Sequence, residues 1–267
     1  MIRSSIVLTT SLLLSAGPAT ARGSLFMRQA IPPVIPASVV ASVTGYGAAV
    51  IAESTGLVSF WPLYEASGAT AADVTANAYN LTYGAGATLG KASLVTDGEA
   101  KSVQLGTGDT GNAERADTDA LDIGSQGTFM FWFLREAGCT SLSGVFSRDD
   151  GAGTDRYVAY MNTGVNDQLN VFSNGTNLGA TAVANGTHLY AVTWSGTTIR
   201  MYADGTEIYN NTTFVAPTAS TAAVIVGHMN RGGSAEPGCS TDRIQGFAFW
   251  NVIKTEAQLD AIWSASQ

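Results

Sequence analysis

The densest set of potential ligands in this 267-residue chain is Asp149-Asp150-Gly151-Ala152-Gly153-Thr154-Asp155. Asp149, Asp150 and Asp155 place three carboxylates on a segment whose glycines permit tight turning, and hard oxygen donors suit Ca2+. The spacing is not that of an EF-hand loop, and an acidic hairpin tip is the plainer alternative. Asp117, Asp119 and Asp122 are the second choice for calcium, with a solvated polar loop as their alternative reading. Glycosidic hydrolysis would need two carboxylates projecting together into a cleft, one as nucleophile and one as acid. Neither Glu-x-Asp-x-Glu nor Glu-x-Asp-x-x-Glu occurs, and the Asp117 set, the nearest approach, has no Glu. The two histidines, His188 and His228, have no Ser or Cys nucleophile motif beside them. His188 opens a strand and reads as a structural hydrogen-bonding group. His228 follows Val226-Gly227 in a loop, where it could reach a ligand. The expectation is a protein that is not an enzyme.

Cys139 and Cys239 admit one intramolecular pairing. Each lies in a Gly- or Ser-containing loop beside a strand. A bridge closing a loop of about 100 residues is worth about 4–5 kcal/mol in the chain-entropy picture. It requires an oxidising compartment, and two unrelated thiols are the alternative.

The elements that must position these residues are strands. Leu189–Trp194 and Thr198–Ala203 are β-branched and aromatic runs separated by Ser195-Gly196-Thr197, and Asp204-Gly205 is a second hairpin signal. Tyr190, Val192 and Trp194 fall on one face, Leu189, Ala191 and Thr193 on the other, so both faces need covering. Thr128–Leu134 alternates likewise, with Phe129, Phe131 and Phe133 opposite Met130, Trp132 and Leu134, which predicts a central buried strand. Further short strands are expected at Leu57–Trp61, Asn80–Tyr83, Ser102–Leu105, Val145–Ser147, Tyr157–Met161, Gln168–Phe172, around Leu178–Val183, Ala222–Gly227 and Ile244–Trp250. About a dozen strands spaced by turn residues predict an all-β fold, a two-sheet antiparallel sandwich or jelly roll. Tyr46–Ser54 predicts a short N-terminal helix with Val50 and Ile51 inward. Thr255 and Gln258 form a capping box ahead of a C-terminal helix, expected to cover an edge or open end of the sandwich. The tryptophans within strands, Trp132 and Trp194, are expected in the core.

Residues 1–21 have the form of a secretory leader: Arg3, an apolar run from Ile6 to Leu14, and Ala19-Thr20-Ala21 as a small-x-small site. An uncleaved N-terminal arm is the other reading. The apolar run is too short to span a bilayer. Residues 22–44, with Pro32, Pro33 and Pro36, read as an extended linker, and 45–267 as one sandwich domain. The net charge is −8, and residues 1–52 hold Arg3, Arg22 and Arg28 without an acid. With no basic patch to neutralise phosphates, nucleic-acid binding is not expected. Five N-x-S/T sequons, at Asn80, Asn174, Asn185, Asn210 and Asn211, would carry glycan only in a eukaryotic secretory host.

Several of these stretches, in order, resemble the laminin G-like or concanavalin A-like jelly-roll family. They are Phe60-Trp61-Pro62-Leu63-Tyr64-Glu65-Ala66-Ser67-Gly68, then Asp73, Gly127–Trp132, His188–Trp194 with Tyr202-Ala203-Asp204-Gly205, and Gln245–Asn251 followed by the small helix. The resemblance covers about 220 residues. It implies a sandwich displayed outside the cell or on a virion surface, with a calcium ion at the rim in many relatives. The fold hosts lectins, glycosidases, adhesion modules and virion proteins, so it does not select among them. The expected function is a recognition module that binds a glycan or another cell-surface ligand through its edge loops. The first alternative is a phage capsid-decorating or tail protein, contacting neighbouring virion subunits through its N-terminal arm. A glycoside hydrolase of the same fold is the weaker alternative.

Overall fold

The computed structural model describes residues 45–96, 101–106, 110–122, 124–136, 142–149, 157–162, 167–216, 220–231, 234–236, 239 and 241–267. The leader or arm, the linker, Cys139, Asp150 and Asp155 lie outside them. The N-terminal helix, α1, is Gly45–Ala52. Strands β1 to β6 are Leu57–Trp61, Thr70–Ala71, Leu81–Tyr83, Thr88–Lys91, Ser102–Gln104 and Ala113–Arg115. The long strand β7 is Gln126–Leu134, followed by β8 (Ser143–Arg148), β9 (Tyr157–Met161), β10 (Leu169–Ser173) and β11 (Thr176–Gly179). The hairpins β12 (Thr187–Ser195), β13 (Thr198–Ala203) and β14 (Thr206–Asn211) come next. They lead to β15 (Val224–Val226), a ribbon of β16 (Met229–Arg231) and β17 (Ser234–Glu236), β18 (Arg243–Trp250) and helix α2 (Glu256–Ser264).

Two antiparallel sheets result. The first runs β14-β13-β12-β7-β18-β5-β4, with β1 also paired to β18; the second runs β11-β10-β9-β8-β15-β6-β3-β2. Nine consecutive pairs, Thr187↔Leu134 through Ser195↔Gln126, join β12 to β7 at the centre of the first sheet. That register puts Phe129, Phe131, Phe133, Tyr190, Val192 and Trp194 into the core between the sheets, all essentially excluded from water. The period-2 alternation therefore sorts these strands as expected. Phe247 adds a stacked ring 5.8 Å from Phe129 and 5.9 Å from Phe131.

The opposite face of β7 and β12 builds a second apolar layer. Met130, Trp132, Leu189, Ala191 and Trp250 pack there against Tyr46 and Val50 of α1 and Leu259 and Ile262 of α2. The C-terminal helix thus covers a sheet face rather than an edge or end, because that face carries too much apolar surface to meet water. A bulge in β18 fits this contact: the register shifts between Gln245 and Ala248, and Gly246 adopts φ +62°. A Cβ on Gly246 would lie 2.3 Å from the Tyr46 ring, whose hydroxyl donates to the Gly246 carbonyl at 2.6 Å. Only glycine satisfies both demands.

Some strands differ from expectation. The strand expected around Leu178–Val183 lies earlier, at Thr176–Gly179, since Asn174-Gly175 makes the turn at positive φ; Val183 joins only as an isolated bridge to Asp167. The short strands β2, β4 and β6 carry no period of their own and exist through their neighbours. Trp61 and Trp250 are wholly buried, one in each apolar layer.

Candidate ligand-binding cleft

On the helix-covered face of the first sheet, α2 stops short of the β12–β13 hairpin, and a cleft of about 380 Å³ opens there. Its floor is the outward row Thr193 and Ser195 of β12 with Thr198, Arg200 and Tyr202 of β13, positioned by the pairs Thr193↔Arg200 and Ser195↔Thr198. Its wall is Ile253–Glu256, the approach to α2. Ile253 is one of two large apolar side chains that the described surface exposes. The wall is held from behind. Lys254 turns away from the cleft, and its Nζ donates to the Glu53 carbonyl (3.0 Å), the Glu53 carboxylate (3.1 Å) and the Thr55 carbonyl (3.2 Å). The Thr255–Gln258 capping box then fixes where α2 begins.

Arg200 is therefore the cation that the cleft presents. Its guanidinium donates to Glu207 of β14 at 3.0 Å, and Tyr202 stands two positions further along β13 in the same cleft floor. Burial pushes the Tyr202 phenol up, so it stays protonated. Glu256 is the single carboxylate in the lining. A site with hydroxyls, one guanidinium and apolar edges can hold a polar ligand in a fixed orientation. The sequence did not single out these residues as a site: the floor and wall are some sixty positions apart and form no motif.

The residues that the sequence did single out lie elsewhere, and those described serve the scaffold. His188 Nδ1 meets Asp204 Oδ2 at 2.6 Å, while Nε2 meets the Ala184 carbonyl at 2.8 Å. Both ring nitrogens face acceptors, so the imidazolium satisfies them together. The hydrogen bond to Asp204 holds the pKa of His188 above the usual value despite partial burial. The other Asp204 oxygen accepts from the Leu189 amide, closing the hairpin end. His228, expected in a loop with access to ligand, is buried, with its backbone against Gly144. Asp73 is a buried node, accepting from the amides of Phe60, Thr75 and Tyr79 and from the hydroxyls of Ser59 and Thr75.

Of the calcium candidates, Asp149 is buried at the end of β8, and its two companions are among the residues not described. Asp117 and Asp122 converge on a protein cation: the buried guanidinium of Arg148 contacts Asp117 and lies 3.0 Å from Asp122. Arg148 also donates to the carbonyl of Ser220 at 2.6 Å. Cys239 stands beside the start of β8, its amide donating to Ser143 Oγ at 3.3 Å.

Two face-to-face antiparallel sheets with helices on one outer face define a concanavalin A-like sandwich. Residues 105–260 match the family model of the concanavalin A-like lectin/glucanases superfamily, and the chain belongs to that superfamily. Three solved structures illustrate its reach. The binding domain of Paraclostridial Mosquitocidal Protein 1 is similar over 78% of this chain and 52% of its own, at 13% identity and a TM-score of 0.57. The Botulinum Neurotoxin Type G receptor binding domain is similar over 79% and 51%, at 8% identity and 0.56. A Trypanosoma rangeli sialidase mutant displaying trans-sialidase activity is similar over 85% and 36%, at 14% identity and 0.57. At these identities the likeness is one of fold, and the chain spans about half or less of each. No curated protein sequence matches it.

Proposed function

We propose that this protein is a non-catalytic recognition module that holds a glycan, or a cell-surface ligand of similar chemistry, in the cleft between the β12–β13 hairpin and the approach to α2. The cleft carries the proposal: hydroxyls and Arg200 at its floor offer directional hydrogen bonds, and the exposed side chain of Ile253 offers apolar contact. Such a mixture suits the polar rims and apolar faces of sugar rings. The similar binding domains of two toxins support a recognition role on this fold. The non-catalytic reading rests on the sequence, which holds neither Glu-x-Asp-x-Glu nor Glu-x-Asp-x-x-Glu, the patterns a paired-carboxylate glycosidase of this fold would carry.

The setting proposed is extracellular, secreted behind residues 1–21 or displayed on a surface, with Cys139 and Cys239 bridged and a calcium ion drawing on Asp149, Asp150 and Asp155. Among the described residues no helix is long and apolar enough to cross a membrane. The test is a glycan array probed with the full chain, with and without chelator, and with Thr198→Trp, which fills the cleft from a half-exposed position. The expected result is a defined set of glycans retained by the parent and lost in the variant. Binding to no glycan would overturn the reading.

A further inference from the structure

Asp167 is a buried charge with little to support it. It is fully excluded from water, and neither carboxylate oxygen accepts a hydrogen bond of good geometry among the described residues. Arg135 Nε stands 3.7 Å away, beyond hydrogen-bond length. Desolvation dominates and raises the pKa of Asp167 to about 6; Arg135, His188 and the Gly186 amide oppose the shift, and the like charge of Asp242 adds to it. The groups that face Asp167 come from several elements. Arg135 follows β7, His188 and Tyr190 lie on β12, and Asp242 precedes β18, with Asp204 behind His188 and Glu136 beside Asp242. The Tyr190 hydroxyl is likewise buried with no hydrogen-bond partner among the described residues.

These side chains meet where β7 ends and β10, β12 and β18 begin, and a thin set of backbone bonds closes that end. Asp167 and Val183 exchange amide–carbonyl bonds at 3.0 and 2.7 Å, and the Arg135 amide donates to the Gly186 carbonyl at 3.2 Å. The Asp242 carboxylate, by contrast, is anchored by the Glu136 amide at 3.1 Å and the Ser143 hydroxyl. The strain of burying charge therefore falls on Asp167. The geometry points to a proton-operated latch at this end of the sandwich: a proton on Asp167 lets the Asp167–Val183 ladder close, and its loss loosens the ladder.

The sign follows from linkage. Asp167 binds its proton more tightly folded than unfolded, so its contribution to stability is fully present below the ordinary carboxylate value and is lost as pH rises through about 6. Hydrogen exchange of the full-length protein, corrected for intrinsic rates, reads this out. Protection at the Asp167, Val183 and Arg135 amides is expected to fall roughly tenfold from pH 5.0 to 7.5 through Asp167, and Asp167→Asn, neutral at both values, is expected to shrink the difference to the part that His188 contributes. Titration of the wild-type Asp167 carboxyl carbon by NMR, which needs no variant to fold, is expected to show a midpoint near 6. Equal protection at the two pH values, a difference undiminished by Asp167→Asn, or a midpoint near the ordinary value of about 4 would each overturn the latch.

Discussion

Asp73 shows how a single side chain substitutes for regular structure. Five donors from β1 and the loop after β2 converge on one buried carboxylate, so the loop is held without a strand ladder. Asp73→Ala strands those donors in the interior and is expected to cost on the order of 3 kcal/mol in urea unfolding. Arg148 works in the opposite sense, as one buried cation between Asp117 and Asp122. Its replacement by Met leaves the partly buried carboxylates uncompensated. A loss of about 3–5 kcal/mol is expected, with Arg148→Met/Asp117→Asn/Asp122→Asn recovering part of it. Asp73 and Asp204 were visible beforehand as members of a motif, yet their partners, mostly backbone amides, carry no residue-type signal. The role of Arg148 was invisible because its partners lie 26 to 31 positions back and across the sheet.

Elements were legible to the extent that they carry their own period. The β7 and β12 strands alternate over nine residues each, and their faces could be assigned residue by residue. Helix α2 announced itself by its capping box, and removing the box with Thr255→Ala is expected to cost about 1 kcal/mol. The same change frees the wall of the cleft, so a weaker ligand complex should accompany it if the cleft is the binding site. Where α2 would dock was not legible: the apolar outer face of β7 demands a cover, but neither pattern says which element supplies it. The edge strands β2 and β4, two and four residues long, hold no period to read. The cleft is legible only in three dimensions, because it is the gap left where a nine-residue helix fails to cover a longer sheet.

At the scale of the whole molecule, protonation and recognition are separable. His188, like Asp167, has its pKa raised in the folded state. Its stabilising contribution is fully present below the ordinary imidazole value and fades as pH rises through the elevated one. Both groups therefore favour the folded state in mild acid, and the urea midpoint is expected to be higher at pH 5.5 than at pH 8. His188→Gln should shrink that difference, which a denaturation series at the two pH values would record. Recognition rests on another part of the sandwich, the β12–β13 floor and the Ile253–Glu256 wall. The most direct measurement is calorimetric titration of the full chain with the best array glycan, alongside Thr198→Trp and Arg200→Ala, each shown by circular dichroism to retain its fold. Saturable binding by the parent, abolished by the first change and weakened at least tenfold by the second, about 1.4 kcal/mol, is the predicted result. Undiminished binding by the filled-cleft variant would contradict the account.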